Sequence, residues 1–106
     1  MPPWVKRTVE WTPEARGCLH ALAAIDRGDV VVAAIDVVER YAVSGTAQPC
    51  DVLFMAHGPW RGWTRIKEPA PRDGWRIIFR DRPKRRLIIV KRFHLRAVVY
   101  LDPPTE

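Results

Sequence analysis

The sequence lacks most of what would place a chain outside the cell or across a membrane. Its two cysteines, Cys18 and Cys50, are too few for the disulfide framework of a small secreted domain, and they show neither zinc-type nor CxxC spacing. They read as reduced thiols. No stretch approaches the roughly 18 to 20 uninterrupted apolar residues of a membrane span, and the opening Met1-Pro2-Pro3-Trp4-Val5-Lys6-Arg7 has no apolar run of signal-peptide length. The expectation is a cytoplasmic protein with no membrane partner. Repeats and low-complexity segments are missing. The acids are scattered and form no paired catalytic set, and His20 and His57 have no companions at ligand spacing. Neither a metal nor a cofactor is expected.

What is present fits one compact domain, residues 1–106. A chain of 106 residues with 47% hydrophobic content can bury a single core, and its Val, Ile, Leu and Trp residues supply enough apolar surface to offset the entropy of ordering. The net charge of +6 hides an asymmetry. Residues 61–96 hold thirteen Lys or Arg against Glu68, Asp73 and Asp81, a net +10, which leaves −4 for the other seventy residues. Such a segment attracts polyanions, whether nucleic acid, anionic membrane or an acidic protein. Charge alone does not choose among them.

Residues 6–11 read as a first strand. Thr12-Pro13-Glu14 then offers an N-cap hydroxyl, a proline at the first helical position and an early acid, which predicts a helix over residues 13–25. Its stripe is Ala15, Cys18, Leu19, Leu22, Ala23 and Ile25. Arg27-Gly28-Asp29 ends that helix, with Asp29 as the next N-cap. Residues 30–43 favour strand by propensity at Val30-Val31-Val32, yet Ala33, Ala34, Val37, Val38 and Tyr41 follow helical spacing. A helix closed by Gly45 is the better reading. Residues 46–62 read as a loop, with a short strand or turn at 52–55.

The second half alternates with period two. Residues 63–67, 75–80 and 87–96 are separated by loop signals, which predicts a three-stranded antiparallel meander. One face would carry Thr64, Ile66, Trp75, Ile77, Phe79, Leu87, Ile89, Phe93 and Leu95, covered by the helices. The other would carry Trp63, Arg65, Lys67, Arg76, Ile78, Arg80, Ile88, Val90, Arg92, His94 and Arg96, open to solvent. A slip by one residue would reverse these assignments. The expected class is α+β: an N-terminal strand and two helices packed on one face of a small antiparallel sheet.

That order resembles the RelE/ParE toxin superfamily over nearly the whole chain. Trp63-Thr64-Arg65-Ile66-Lys67 resembles the family's strand with two basic side chains on alternate positions. Asp73-Gly74-Trp75-Arg76-Ile77-Ile78-Phe79 resembles its Gly-aromatic-Arg strand, and the tract from Arg92 through His94 and Arg96 to Tyr100 resembles its basic run ending in Val-Tyr. The RelE branch cuts messenger RNA in the ribosomal A site, whereas the ParE branch inhibits DNA gyrase. The match at Arg65, Lys67, Arg76 and Tyr100 favours the RelE branch. The resemblance implies a catalytic set of Lys67, Arg76, His94, Arg96 and Tyr100 with Arg65 lining the site, and the basic face and turn add Trp63, Arg80, Arg85 and Arg92 as expected RNA contacts. It also implies a cognate antitoxin, the ribosome and messenger RNA as partners. This chain departs from many relatives in having six residues after Tyr100, so the expected C-terminal tail is reduced to residues 101–106.

The chemistry fits those residue types. RNA can be cut without metal when its own 2′-hydroxyl attacks the neighbouring phosphate, giving a 2′,3′-cyclic phosphate and a 5′-hydroxyl. Arg stays protonated and grips non-bridging oxygens as charge builds, the role expected of Arg76. His94 or Tyr100 would serve as base, and Lys67 or Arg96 as proton donor or leaving-group stabiliser. Trp60 or Trp63 could stack on a base. Arg82, Lys84, Arg85 and Arg86 surround a turn and read either as a solvated charge run or as ribosomal RNA contacts. Two other classes stay open: a ParE-like protein inhibitor, and a nucleic-acid-binding module without catalysis.

Overall fold

The computed structural model describes residues 3–67, 74–95 and 99–101. The chain runs β1 (Thr8–Trp11), α1 (Pro13–Ala24), α2 (Gly28–Ser44), β2 (Asp51–Phe54), β3 (Thr64–Lys67), β4 (Trp75–Arg82), a 3-10 turn (Pro83–Arg85) and β5 (Leu87–Leu95). This is the expected α+β class, in a five-stranded sheet of order β1-β5-β4-β3-β2. The sheet is mixed rather than wholly antiparallel. β2 to β5 form a meander, and its last strand arrives beside β1 running in the same direction, with Thr8 opposite Leu87 and Trp11 opposite Val90.

Local chemistry sets the helix boundaries. Thr12 caps α1 from extended backbone, its hydroxyl accepting from the Ala15 N–H at 3.1 Å and donating to the Lys91 carbonyl at 3.1 Å. One threonine therefore satisfies a helix donor and ties α1 to β5. The expected N-cap at Asp29 is corrected. α2 already starts at Gly28, with Arg27 in the cap position, and Asp29 sits in the first turn where the Arg27 guanidinium binds its carboxylate at 3.1 Å and holds it below the usual range. Helical spacing does win over β propensity in α2. Val30, Ala34, Val37, Val38 and Ala42 form a buried stripe, and Gly45 closes the helix at φ 77°. A Cβ on Gly45 would meet the Trp4 ring at 2.7 Å, so both backbone and space require glycine there.

The helices cover one face of the sheet, where Ile66, Ile77, Phe79, Ile88, Val90 and Phe93 meet Ala15, Leu19, Leu22 and the α2 stripe. Trp75 packs on Phe93 and Tyr41 on Phe79, each pair with ring centroids 4.9 Å apart. The face assignment is corrected in the first half of β5. Ile78 lies opposite Arg92 and Phe79 opposite Val90, which leaves Lys91 as an extra residue, a β-bulge. Before the bulge the alternation is inverted, so Ile88 and Val90 enter the core in place of Leu87 and Ile89. Leu95 is exposed.

The opposite face is also corrected in its burial. Trp60, Trp63, Ile78 and Val99 form a second small core with Met55 and Tyr100 against it, so part of the face expected to be open is covered. The segment between β2 and β3 turns back through Gly58 and Gly62 at φ 82° and 92°, with Met55 N–H donating to the Trp63 carbonyl and Gly62 N–H to the Met55 carbonyl, both at 2.8 Å. That turn brings Trp60 over the sheet.

Candidate functional site

Register builds the site. β3, β4 and β5 place Lys67 opposite Arg76 and Arg76 opposite His94, a row of three side chains on neighbouring strands about 4.8 Å apart. The next row on the same face is Arg65, Ile78 and Arg92. Tyr100 comes over this row from beyond β5, its hydroxyl 3.4 Å from a terminal nitrogen of Arg65 and its carbonyl accepting from the Trp60 indole at 3.1 Å. Lys67, Arg76, His94, Arg65 and Tyr100 are thus gathered on one face. Arg96 and residues 68–73 lie outside the described residues.

The electrostatics of the gathered set are unusual. Arg76 is only 4% exposed, where solvent exposure was expected. One terminal nitrogen donates to the Trp75 carbonyl at 3.1 Å, and its Nε has no hydrogen-bond partner among the described residues. The Nε of Arg65 and the indole nitrogen of Trp63 are buried and without partners in the same sense. Among the described residues the carboxylate near Arg65 is that of Asp51, which stands 4.0 Å away and is largely exposed, a weak pairing. A buried donor left unmade costs about 1–3 kcal/mol, more when charged. Among the described residues three donors in that state share one sheet face, and an anion with several oxygens is the chemistry that would match them.

The remaining expected RNA contacts are placed differently. Arg80 lies over the Trp63 ring at 4.3 Å, and Trp63 is 4% exposed, so no ring face is open to stack a base. Trp60 is buried too, edge-on to Trp63 and beneath Arg92 at 5.0 Å. Arg92 donates to the Glu14 carboxylate at 2.6 Å and to the carbonyls of Val99 and Leu101, which makes it a brace between α1 and the segment carrying Tyr100. Arg85 is exposed in the 3-10 turn, at the opposite end of β4 from Arg76.

Two partners were not legible in advance. Glu14 and Cys18, one turn apart on α1, flank the half of β5 that β1 does not pair. Glu14 meets Lys91 and Arg92, and the Cys18 sulfur lies 3.1 Å from Nε2 of His94. Burial pushes the Cys18 thiol above its ordinary 9.0, with the Phe93 backbone pulling the other way, so the group is a protonated thiol at neutral pH. Among the described residues no three His, Cys, Asp or Glu side chains gather as a metal site, and no helix is long and apolar enough to cross a membrane.

Two helices on one face of a mixed five-stranded sheet, with basic cross-strand rows on the other, define the class: a small α+β domain with a basic sheet face. A solved structure it is similar to is a chain of the RelBE2 toxin–antitoxin complex from Mycobacterium tuberculosis. The two superpose with a TM-score of 0.56 at 21% identity, over 88% of this chain and 94% of that one. The likeness is one of fold. No family model matches the sequence, and no curated protein does.

Proposed function

We propose that this chain is the toxin of a toxin–antitoxin pair and acts as a ribosome-dependent messenger RNA endoribonuclease of RelE type. The observation that carries this reading is the pair of buried Nε donors on Arg65 and Arg76, without partners among the described residues, beside Lys67, His94 and Tyr100. A scissile phosphate supplies the missing acceptors. Arg76 grips its non-bridging oxygens, and because the fork is already desolvated it needs little reorganisation as the phosphorane forms. Tyr100 or His94 takes the 2′-hydroxyl proton, and Lys67 or Arg96 protonates or stabilises the leaving 5′-oxygen. Each positioned proton-transfer group is worth about 10²–10⁴-fold. The products are a 2′,3′-cyclic phosphate and a 5′-hydroxyl, formed without a metal, in the cytoplasm.

An antitoxin partner is part of the same reading. It is supported by the fold shared with a chain of a toxin–antitoxin complex and by the outward side of α2, where Val32, Ile35 and Val43 are exposed. An acidic, amphipathic segment suits that apolar side together with the basic half of the chain.

Induced expression followed by mapping of message 5′ ends tests the proposal. Arrested translation with new 5′-hydroxyl ends in ribosome-bound messages is expected. Growth arrest with intact messages and altered DNA supercoiling would replace it with a ParE-like activity, and binding without arrest would leave a nucleic-acid-binding module.

A further inference from the structure

The contact between Cys18 and His94 joins residues 76 positions apart in sequence and lies beside the candidate site, since His94 faces Arg76 across β4 and β5. Its direction decides what His94 can do. A neutral imidazole carries its proton on one nitrogen and a lone pair on the other, and the partner of Nε2 selects which. Burial keeps the thiol protonated, so the sulfur 3.1 Å from Nε2 carries an S–H to donate. Nitrogen is also a far better acceptor than sulfur.

We propose that Cys18 is a positioning residue that donates its S–H to Nε2 of His94, fixes the ring as the Nδ1–H tautomer, and so makes His94 a hydrogen-bond donor to the bound phosphate rather than the general base. In this form Nδ1 has no lone pair with which to accept the 2′-hydroxyl proton. Nor does the ring pass a proton on through Cys18, because that would leave a thiolate in a half-buried place beside Glu14, whose carboxylate opposes that charge more than Arg92 relieves it. A neutral imidazole that donates without losing its proton is sound catalytic chemistry. The role of base then falls to Tyr100, with its oxygen at Arg65.

The inference rests on the endoribonuclease reading for its consequence, but its physical core is measurable without turnover. Long-range proton–nitrogen NMR of the His94 ring, assigned with His94→Gln, reads the tautomer directly. Wild type is expected to show Nδ1–H, Cys18→Ser to keep it through its hydroxyl, and Cys18→Ala to move toward the Nε2–H form that free imidazole favours. Wild-type Nε2–H, or a tautomer unchanged in Cys18→Ala, overturns the proposal. On programmed ribosomes, Cys18→Ala should lower cleavage about ten- to a hundredfold, Cys18→Ser should restore most of it, and Cys18→Ala should add nothing on a His94→Gln background. An equal loss on both backgrounds would make Cys18 merely structural. If the wild type cuts nothing while the tautomer result holds, the endoribonuclease reading fails and the thiol–imidazole assignment stands.

Discussion

On the helix-covered face of the sheet, Ile66, Ile77, Phe79, Ile88, Val90 and Phe93 are buried among α1 and α2 with no polar group to satisfy. On the other face Arg76 is buried nearly as deeply, yet its Nε, like that of Arg65 and the indole nitrogen of Trp63, has no partner among the described residues. The difference separates stability from function. A fully buried apolar side chain contributes about 1.5–3 kcal/mol, whereas an unpaired buried donor subtracts about 1–3 kcal/mol until something binds it. One face holds the fold together, and the other carries the proposed anion site.

The comparison breaks most severely at Phe79. Phe79→Ala removes a buried ring that packs on Tyr41 and should lower unfolding free energy by about 3–5 kcal/mol. Urea titration followed by circular dichroism checks this; a loss under 1 kcal/mol would mean the helices do not cover that face. A smaller effect is expected at Gly45→Ala, where the new methyl meets Trp4 at positive φ. The strain should cost about 1–3 kcal/mol, read as a lower urea midpoint at unchanged slope. The smallest belongs to Arg85→Ala. Its side chain is exposed in the 3-10 turn, so stability should hold within about 0.5 kcal/mol. Ribosome affinity should weaken modestly and its logarithmic salt slope should shallow by about 0.7–0.9 if Arg85 meets one phosphate. An unaltered slope leaves it a solvated charge.

Much of this contrast was legible in the sequence. Thr12-Pro13 and Gly45 marked helix ends, and the alternation of Arg65 with Lys67 and of Arg76 with Ile78 put the basic side chains on one face, as the register has it. Leu87-Ile88-Ile89-Val90 was not legible. All four residues are apolar, so either alternation satisfies the pattern, and the bulge at Lys91 chooses the inverted one. β2 is four residues long and was read only as a short strand or turn, and the parallel pairing of β1 depends on where a distant strand returns. The burial on that face was hidden for a related reason, because Trp60 and Tyr100, which pack with Ile78, come from segments without period. The Cys18–His94 contact has no local signal at all. Trp60 and Trp63, offered by the sequence as rings that could stack on a base, are buried and belong to packing.

The most direct test is Arg76→Met, which keeps length and apolar bulk while deleting the desolvated charge. Two quantities are measured on the same protein: messenger cleavage on programmed ribosomes, and unfolding free energy in urea. Cleavage should fall about 10²–10³-fold, the usual loss at a preorganised charge site. Stability should stay within about 1 kcal/mol of wild type or rise, since the substitution removes an unmet buried donor. A variant that cuts at the wild-type rate but loses several kcal/mol of stability would contradict the account, because Arg76 would then belong to the face that holds the fold together.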